Sequence, residues 1–208
     1  MAARNKNQRL TASERRNQLV DVGRALFARN GYEATSMEEI ADRARVSKPV
    51  VYDHFGGKEG IYAVVVDREM DYIVRRITEA IASGSPRERL ERAALAFLSY
   101  VRDHPDGFAV LSQDLPSVAT RRRLSSLLDD LAERVGDIFI GSFKEAGYDA
   151  RTAPIYAHAL VGMVTFVGRW WIEPRKPAIE EVAKHTAALA WMGLRHLPKR
   201  PTLKVAGH

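Results

Sequence analysis

Apolar residues recur every three or four positions along almost the whole chain, which is the period of an amphipathic helix. Leu19, Val22 and Leu26 form the first such stripe, and Asn30-Gly31 supplies a stop signal after it. No segment offers a convincing strand pattern. The sequence therefore predicts an all-α protein with about nine helices.

Two short helices are expected to follow the first one. The stretch Thr35-Ser36-Met37-Glu38-Glu39 contains a capping-box pattern, in which the side chains of Ser36 and Glu39 each accept from the other's backbone N–H. Ser47, after a tight connection at Arg45-Val46, is a candidate N-cap for the second short helix. Two short helices joined by such a turn and packed on a first helix are typical of a helix-turn-helix, and the alternative is an ordinary helical hairpin with a solvated face.

The segment Val46–Glu59, V-S-K-P-V-V-Y-D-H-F-G-G-K-E, has the composition of a strand but is expected to be a helix. Pro49 fits the first turn of a helix, where a missing N–H costs nothing, and does not fit an interior position of a sheet. Val51 and Phe55 are four residues apart and would face inward together, and Gly56-Gly57 would end the helix.

Longer helices are predicted in the rest of the chain. They run from Lys58 to about Ser83, from a second capping box at Ser85 to about His104, and then over residues 107–115, 118–146, 152–173 and 179–197. We expect residues 1–57 to form a helix-turn-helix domain with a basic N-terminal arm, and residues 58–208 to form a larger helical domain.

The charge distribution favours nucleic acid as a partner. The formal net charge is +6, and residues 1–58 carry 11 Lys/Arg against 7 Asp/Glu, whereas the remaining residues carry 21 against 19. A basic N-terminal module on a nearly neutral body is typical of DNA-binding proteins.

Composition also sets limits on the compartment and the chemistry. The chain contains no cysteine, so disulfides and thiolate chemistry are excluded. The N-terminus lacks an apolar signal region, and no uninterrupted apolar run is long enough to span a bilayer. We therefore expect a cytoplasmic protein without a membrane partner.

Motifs for catalysis, cofactors and metals are weak. Gly56-Gly57-Lys58 lacks the first glycine of a phosphate loop, and Glu59 stands where a magnesium-binding hydroxyl is needed. The six histidines include no pair at helical i, i+4 spacing, and no nucleophile elbow is present. We expect neither an enzyme nor a bound cofactor or metal.

The run from Phe27 to Tyr62, F-A-R-N-G-Y-E-A-T-S-M-E-E-I-A-D-R-A-R-V-S-K-P-V-V-Y-D-H-F-G-G-K-E-G-I-Y, resembles the DNA-binding domain of TetR-family transcriptional regulators. The matching residues are in register without gaps and are Phe27, Gly31, Tyr32, Thr35, Ile40, Ala41, Ala44, Val46, Ser47, Tyr52, His54, Phe55 and Lys58. Arg45 departs from the family pattern, which usually has glycine in this turn. The rest of the chain agrees with the family only in length and helical character. The resemblance implies that residues 1–57 are a DNA-binding domain and that residues 58–208 are a ligand-binding and dimerisation domain.

The resemblance implies a role for each matching polar position. The residues expected to contact phosphates are Thr35, Ser36, Ser47, Tyr52 and Lys58, and those expected to approach base edges are Lys48, Pro49, Val50 and His54. Phosphate contacts would fix the register, and base contacts would select the sequence. The basic arm resembles minor-groove arms of some family members; a tail that adds only nonspecific attraction is an equal alternative.

The last two helices are expected to form a homodimer interface. Residues 155–172 are apolar nearly all round, so this helix needs contacts on more than one side. The residues expected to join it on the last helix are Ala183, Ala187, Ala190, Trp191 and Leu194. The alternative is a helix that is entirely internal to its own domain.

A set of apolar residues on the longer helices is the candidate ligand site, although each member on its own is more typical of a core. The set comprises Phe97, Phe108, Leu111, Leu128, Leu131, Val135, Phe139, Met163, Phe166 and Trp170. Arg169 and His104 are candidates to meet a polar head group. Residues 167–171 faintly resemble regulators of fatty acid synthesis within the family, which suggests a small apolar or amphipathic effector such as a fatty acid or acyl-CoA.

These observations predict a ligand-responsive transcriptional repressor that binds a palindromic double-stranded DNA operator as a dimer. The alternative from another class is a helical lipid-binding or scaffolding protein whose basic end contacts a membrane surface.

Overall fold

The computed structural model describes residues 10–112, 131–133, 135–137, 139–141, 143–199 and 201–202. Within these ranges the chain contains nine α-helices and no strand, which confirms the all-α prediction. The first six helices are α1 (Ala12–Ala34), α2 (Met37–Ala44), α3 (Lys48–Phe55), α4 (Lys58–Ala80), α5 (Pro86–Asp103) and α6 (Pro105–Ser112). Helix α7 comprises the described residues of 131–145, and a 3-10 turn at Ala150–Thr152 precedes α8 (Ala153–Ile172) and α9 (Ile179–Arg195). No helix in the described part of the chain has the length and apolar character needed to cross a bilayer.

The described residues divide into two compact units. The first comprises residues 10–69 and 106–112, and the second comprises residues 70–105 and the described residues from 131 to 202. The first unit thus contains the first half of α4 and nearly all of α6 in addition to α1, α2 and α3.

The first unit is built around apolar residues contributed by all four of its N-terminal helices. Leu19, Phe27, Ile40, Val51 and Ile61 are completely inaccessible to solvent. Each such side chain contributes about 1.5–3 kcal/mol by leaving water. Helix α3 depends on this core through one residue, because Val51 is its only fully buried side chain.

Polar and aromatic contacts connect α1, α4 and α6 within the first unit. The Arg24 guanidinium donates to the buried Glu69 carboxylate at 3.0 Å. The rings of Phe27 and Tyr62 meet edge-to-face at 5.0 Å, and the Tyr62 hydroxyl donates to the carbonyl of Val110. Burial, with a smaller contribution from Tyr32, raises the pKa of Tyr62 to about 12, so this donor stays protonated at neutral pH.

Helix caps follow the sequence patterns only in part. The predicted capping box at Ser85 and Glu88 is confirmed, and a further box, missed by the sequence analysis, starts α1 at Thr11 and Glu14. The predicted box at Ser36 is half formed. The Ser36 hydroxyl accepts from the N–H of Glu39, but the carboxylate of Glu39 accepts from Asn30 instead of returning to Ser36.

Gly31 interrupts the first helix without ending it. Its φ of 80° and ψ of 168° lie outside both the helical and the left-handed helical regions, and α1 resumes as far as Ala34. The stop predicted at Asn30-Gly31 is therefore a kink. The Thr35 hydroxyl donates to the carbonyl of Gly31 at 2.8 Å and lies 3.3 Å from that of Leu26, so it satisfies carbonyls beside the kink.

Two glycines form the corner between α3 and α4. Gly56 ends α3 with a φ of 71°, and its N–H donates to the carbonyl of Tyr52 at 2.7 Å. Gly60 lies against the carbonyl group of Phe55, and a Cβ atom at this position would overlap the oxygen. The corner therefore excludes any larger residue at position 60.

The second unit is organised by α5, which packs along α9 and also contacts α8. Leu98, Val101 and Ile179 are among its fully buried residues. At the surface, the Arg102 guanidinium donates to Glu180 at 2.8 Å and so connects α5 to α9. The helix boundaries differ from the predicted ones by a few residues; for example, α4 ends at Ala80 rather than near Ser83.

Arg45 occupies the left-handed conformation that the family's usual glycine would favour. It follows α2 with a φ of 55° and a ψ of 47°, and its N–H donates to the carbonyl of Asp42 at 3.1 Å. A residue with a Cβ atom costs roughly 1–2 kcal/mol in this region.

We expect Arg45→Gly to raise the free energy of unfolding by up to about 1 kcal/mol, because it relieves this strain. For a chain of this length the melting temperature should rise by about 2–4 °C, measured by circular dichroism. Arg43→Gly, inside the last turn of α2, is the matched control and should instead destabilise by about 1 kcal/mol. A lower melting temperature for Arg45→Gly would contradict the interpretation.

Candidate nucleic-acid interface and internal cavity

The outer side of α3 carries most of the predicted DNA-contacting residues. Lys48, Pro49 and Tyr52 are exposed, whereas Val50 and His54 are half-buried. Val51 lies on the opposite side of the helix in the core. An eight-residue helix with one buried anchor and a polar, accessible outer side has the dimensions needed to enter a major groove about 12 Å wide.

Helix α1 holds the ends of α2 and α3. The guanidinium of Arg16 donates to the carbonyl of His54 at 2.8 Å and lies 4.6 Å from the centre of the Phe55 ring. The side-chain amide of Gln18 donates to the carbonyl of Ala44 at 3.3 Å. Phe55 is only half-buried, so this stacked guanidinium replaces part of the core contact that the sequence predicted for it.

Lys48 is paired within the protein. Its ammonium group donates to the carboxylate of Glu38 on α2 and lies 5.7 Å from the centre of the Tyr52 ring. The hydrogen bond lowers the pKa of Glu38 and raises the pKa of Lys48, so both groups remain charged at neutral pH. A DNA contact by Lys48 must compete with this exposed ion pair, which has a small intrinsic strength.

Lys58 is held beside the interface by two contacts. Its ammonium group donates to the carbonyl of Glu33 at 3.0 Å and lies 4.6 Å from the centre of the Tyr32 ring. An ammonium group has three donors, so one bond to a carbonyl leaves others for a phosphate. The contacts thus orient Lys58 without using up its hydrogen-bonding capacity.

The hydroxyls of Ser36 and Ser47 are exposed, as a phosphate contact requires. Ser36 accepts from the backbone N–H of Glu39 and can still donate its own proton. Ser47 is the N-cap of α3 but makes no side-chain cap bond. Both lie at helix N-termini, where backbone N–H groups favour anions.

Thr35 is a correction to the predicted phosphate contacts. Its side chain is 1% exposed, and its hydroxyl donates to backbone carbonyls at the Gly31 kink. A phosphate oxygen cannot reach this hydroxyl. The role of Thr35 is to stabilise the connection between α1 and α2.

The second unit contains an apolar cavity with a volume of about 340 Å³. Its described lining residues come mainly from α4, α5, α7, α8 and α9, and they include five of the predicted ligand-site residues: Phe97, Leu131, Val135, Phe139 and Met163. Other lining residues, such as Ile77 and Leu90, were not among the predicted ones, although both lie on predicted helices with apolar stripes.

Four predicted ligand-site residues do not line this cavity. Phe108 and Leu111 are buried in the first unit, and Phe166 and Trp170 are exposed on α8. Arg169 and His104 are also absent from the described lining, and Leu128 lies outside the described residues. The helical period had placed these residues on apolar stripes without showing which stripe faces the cavity.

A separate apolar face is exposed on α8 and α9. Ile155, Phe166 and Trp170 on α8 are 66%, 74% and 54% exposed, and Leu189 and Met192 on α9 are 68% and 54% exposed. Such a concentration of large exposed apolar side chains is typical of a protein–protein interface.

The α9 residues predicted for the interface face inward instead. Ala183, Ala187 and Ala190 are buried, and Trp191 and Leu194 line the cavity. Leu189 and Met192 occupy the outward side.

In the described part of the chain, no three or more histidine, aspartate or glutamate side chains are grouped as a metal site would require.

Family profiles and known proteins match the chain across both units. The profile described as "Bacterial regulatory proteins, tetR family" matches residues 19–65, and that described as "Tetracyclin repressor-like, C-terminal domain" matches residues 86–193. The HTH-type transcriptional activator FasR of Mycolicibacterium smegmatis is 31% identical over 199 residues, which cover 93% of this chain and 89% of that protein.

Two further similarities agree with these matches. The HTH-type transcriptional repressor KstR2 of the same organism is 27% identical over 196 residues, covering 88% of this chain and 91% of the repressor. A solved structure of a TetR-like transcriptional regulator from Rhodococcus sp. RHA1 superimposes with a TM-score of 0.75 at 29% identity, covering 91% of this chain and all of that one.

We expect Glu38→Gln to increase affinity for a mixed-sequence DNA duplex about two- to fivefold at low salt. The substitution removes a negative charge from the interface and leaves the Lys48 ammonium free to approach a phosphate. Fluorescence anisotropy over a series of KCl concentrations measures both the affinity and its salt dependence, whose slope should steepen by up to about one released counterion.

Asp42→Asn is the matched control for this variant, because it removes the same charge from an exposed position of α2 that does not contact Lys48. It should give a smaller gain in affinity. Equal gains for the two variants would show that the pairing with Lys48 has no effect on DNA binding.

Proposed function

Since the chain belongs to the TetR family of bacterial transcriptional regulators and is a DNA-binding regulator, we propose that it binds a palindromic operator as a homodimer and responds to an apolar or amphipathic effector. The observation that carries the proposal is the exposed outer side of α3, held in place by Val51 in the core and by Arg16 from α1. We further propose that regulation is repression.

The proposed DNA contacts divide by chemistry. Ser36, Ser47, Tyr52 and Lys58 would bind phosphates and set the register of α3 on the duplex. Lys48, Pro49, Val50 and His54 would face base edges, where Lys48 can donate to guanine and Val50 can pack on a thymine methyl group.

The proposed dimer uses the exposed apolar face of α8 and α9. Two copies that join these helices in a four-helix arrangement would bury Phe166, Trp170 and Leu189. A dimer also suits the DNA-binding unit, because two copies of α3 can then read two half-sites about one helical turn, or about 34 Å, apart.

The proposed effector site is the apolar cavity of the second unit. Its volume of about 340 Å³ lies at the lower end of the range for ligand pockets, and its lining favours an apolar chain such as that of a fatty acid or acyl-CoA. An effector that prefers one conformation by ~1–3 kcal/mol would change operator affinity roughly five- to 150-fold.

Helix α4 is the proposed route for this response. It is continuous from Lys58 to Ala80 and supplies residues to both units, including Ile77 in the cavity lining. A ligand that displaces the second half of α4 would act on the end that begins at Lys58. Repression is supported by the KstR2 repressor among the similar proteins, whereas FasR is an activator.

Selection of bound duplexes from a random-sequence pool at about 0.15 M salt tests DNA recognition. We expect a palindromic site to be enriched. Lys48→Ala should select a different base at one position of each half-site, whereas Tyr52→Ala should select the same site and weaken binding to all sequences. Failure to enrich any palindrome, with a folded protein, would contradict the proposed operator.

Leu189→Asp tests the dimer. The substitution places a charge in the proposed interface, so light scattering after size-exclusion chromatography at micromolar concentration should give a monomer mass where the unsubstituted protein gives a dimer. Leu95→Asp, on an exposed part of α5, is the matched control and should stay dimeric. A dimeric Leu189→Asp would place the interface elsewhere.

A further inference from the structure

One charged side chain lines the apolar cavity among the described residues. Arg89, the fourth residue of α5, is the only lysine, arginine, aspartate or glutamate in that lining. It is exposed to solvent, as are the lining residues Pro86 and Ala146. The cavity is therefore open to solvent at these three residues, which include Arg89.

The spacing of charges along α5 explains why Arg89 has no carboxylate partner in the described structure. Arg87 pairs with Glu91 at 2.8 Å, and Arg92 lies 3.9 Å from Glu88, both at i, i+4 spacing. Positions four residues before and after Arg89 are Ser85 and Ala93, which offer no charge. Its five donors remain available.

The two hydroxyl groups of the described cavity lining are already bonded within the protein, and the indole N–H of Trp191, like them, carries no charge. The Thr186 hydroxyl donates to the carbonyl of Val182 at 2.8 Å, and the Tyr148 hydroxyl donates to the carbonyl of Leu197 at 3.0 Å. At the N-terminus of α5, the N–H of Glu88 donates to the Ser85 hydroxyl, and the N–H of Ser85 donates to the Glu88 carboxylate. Arg89 is thus the group best suited to bind a polar ligand atom.

We propose that the cavity binds a single-chain anionic amphiphile, whose apolar tail fills the interior and whose anionic head group binds Arg89 at the opening. An arginine guanidinium forms paired hydrogen bonds with a carboxylate or a phosphate. Its interaction with a neutral alcohol or sterol is much weaker. This inference rests on the proposed effector site, and it replaces Arg169 and His104 with Arg89 as the residue for the head group.

Two ligands carry this chemistry, a free fatty acid with its carboxylate and an acyl-CoA with its phosphates. Trp191 lines the cavity, so its fluorescence provides a direct binding signal that requires no DNA. We would titrate the full-length protein with myristate, myristoyl-CoA and myristyl alcohol, whose tails are the same. A Trp191→Phe variant identifies the part of the signal that comes from the cavity.

Arg89→Gln should weaken binding of the anionic ligand about tenfold, and should change binding of myristyl alcohol less than about twofold. Arg87→Gln is the matched control, because it removes a charge from the same turn of α5 at a residue that does not line the cavity. It should leave all three affinities within about twofold. Melting curves of both variants check that they fold.

Loss of affinity for myristate alone assigns a carboxylate to Arg89, and loss for myristoyl-CoA alone assigns a phosphate; both support the proposal. Equal effects of Arg89→Gln on the anions and the alcohol would overturn it, as would no effect on any of them or no binding by any of the three. None of these results depends on operator binding, so they separate this inference from the proposal for DNA recognition.

Discussion

The DNA-binding unit depends on one constraint, which is that a helix of eight residues must be fixed firmly while most of its surface stays free. Helix α3 has a single fully buried side chain, Val51, so apolar burial alone holds it at one point. Rotation about that point is limited by its ends. Arg16 bonds the carbonyl of His54 at the C-terminal end, and Gly60 allows α4 to begin directly against Phe55. The outer side chains can therefore differ without loss of the fold.

The sequence predicted the helices of this unit well, because their signals are local. A helical period, a proline in the first turn and glycines at the end depend only on near neighbours in the chain. The hydrogen-bond partners of the side chains in this unit were harder to predict. Glu39 was expected to return to Ser36 but bonds Asn30, and Thr35 was expected at the surface but is buried. Both residues bond to positions at or beside the kink at Gly31, which a helix-stop pattern does not reveal.

The second unit shows a different limit of sequence-based prediction. Helices α8 and α9 each carry apolar residues on two sides, one that faces inward and one that is exposed. On α9, Trp191 lines the cavity while the next residue, Met192, is exposed. On α8, Trp170 is exposed while Trp171 is buried and donates to the carbonyl of Pro177. Each helix thus has large apolar side chains on both its inward and its exposed side. The sequence could therefore predict that these helices have two apolar contacts, but not which residues belong to each.

Charge pairing separates the functional candidates more sharply than hydrophobicity does. On α5, the i, i+4 rule gives partners to Arg87 and Arg92 and leaves none for Arg89. On α3, Lys48 has a partner from another helix, Glu38, which no local spacing could show. An exposed ion pair is weak enough to exchange one partner for another. A lysine that is paired in this way meets DNA either beside the Glu38 carboxylate or by giving it up, whereas Arg89, which has no carboxylate partner among the described residues, can bind an anion without exchanging one.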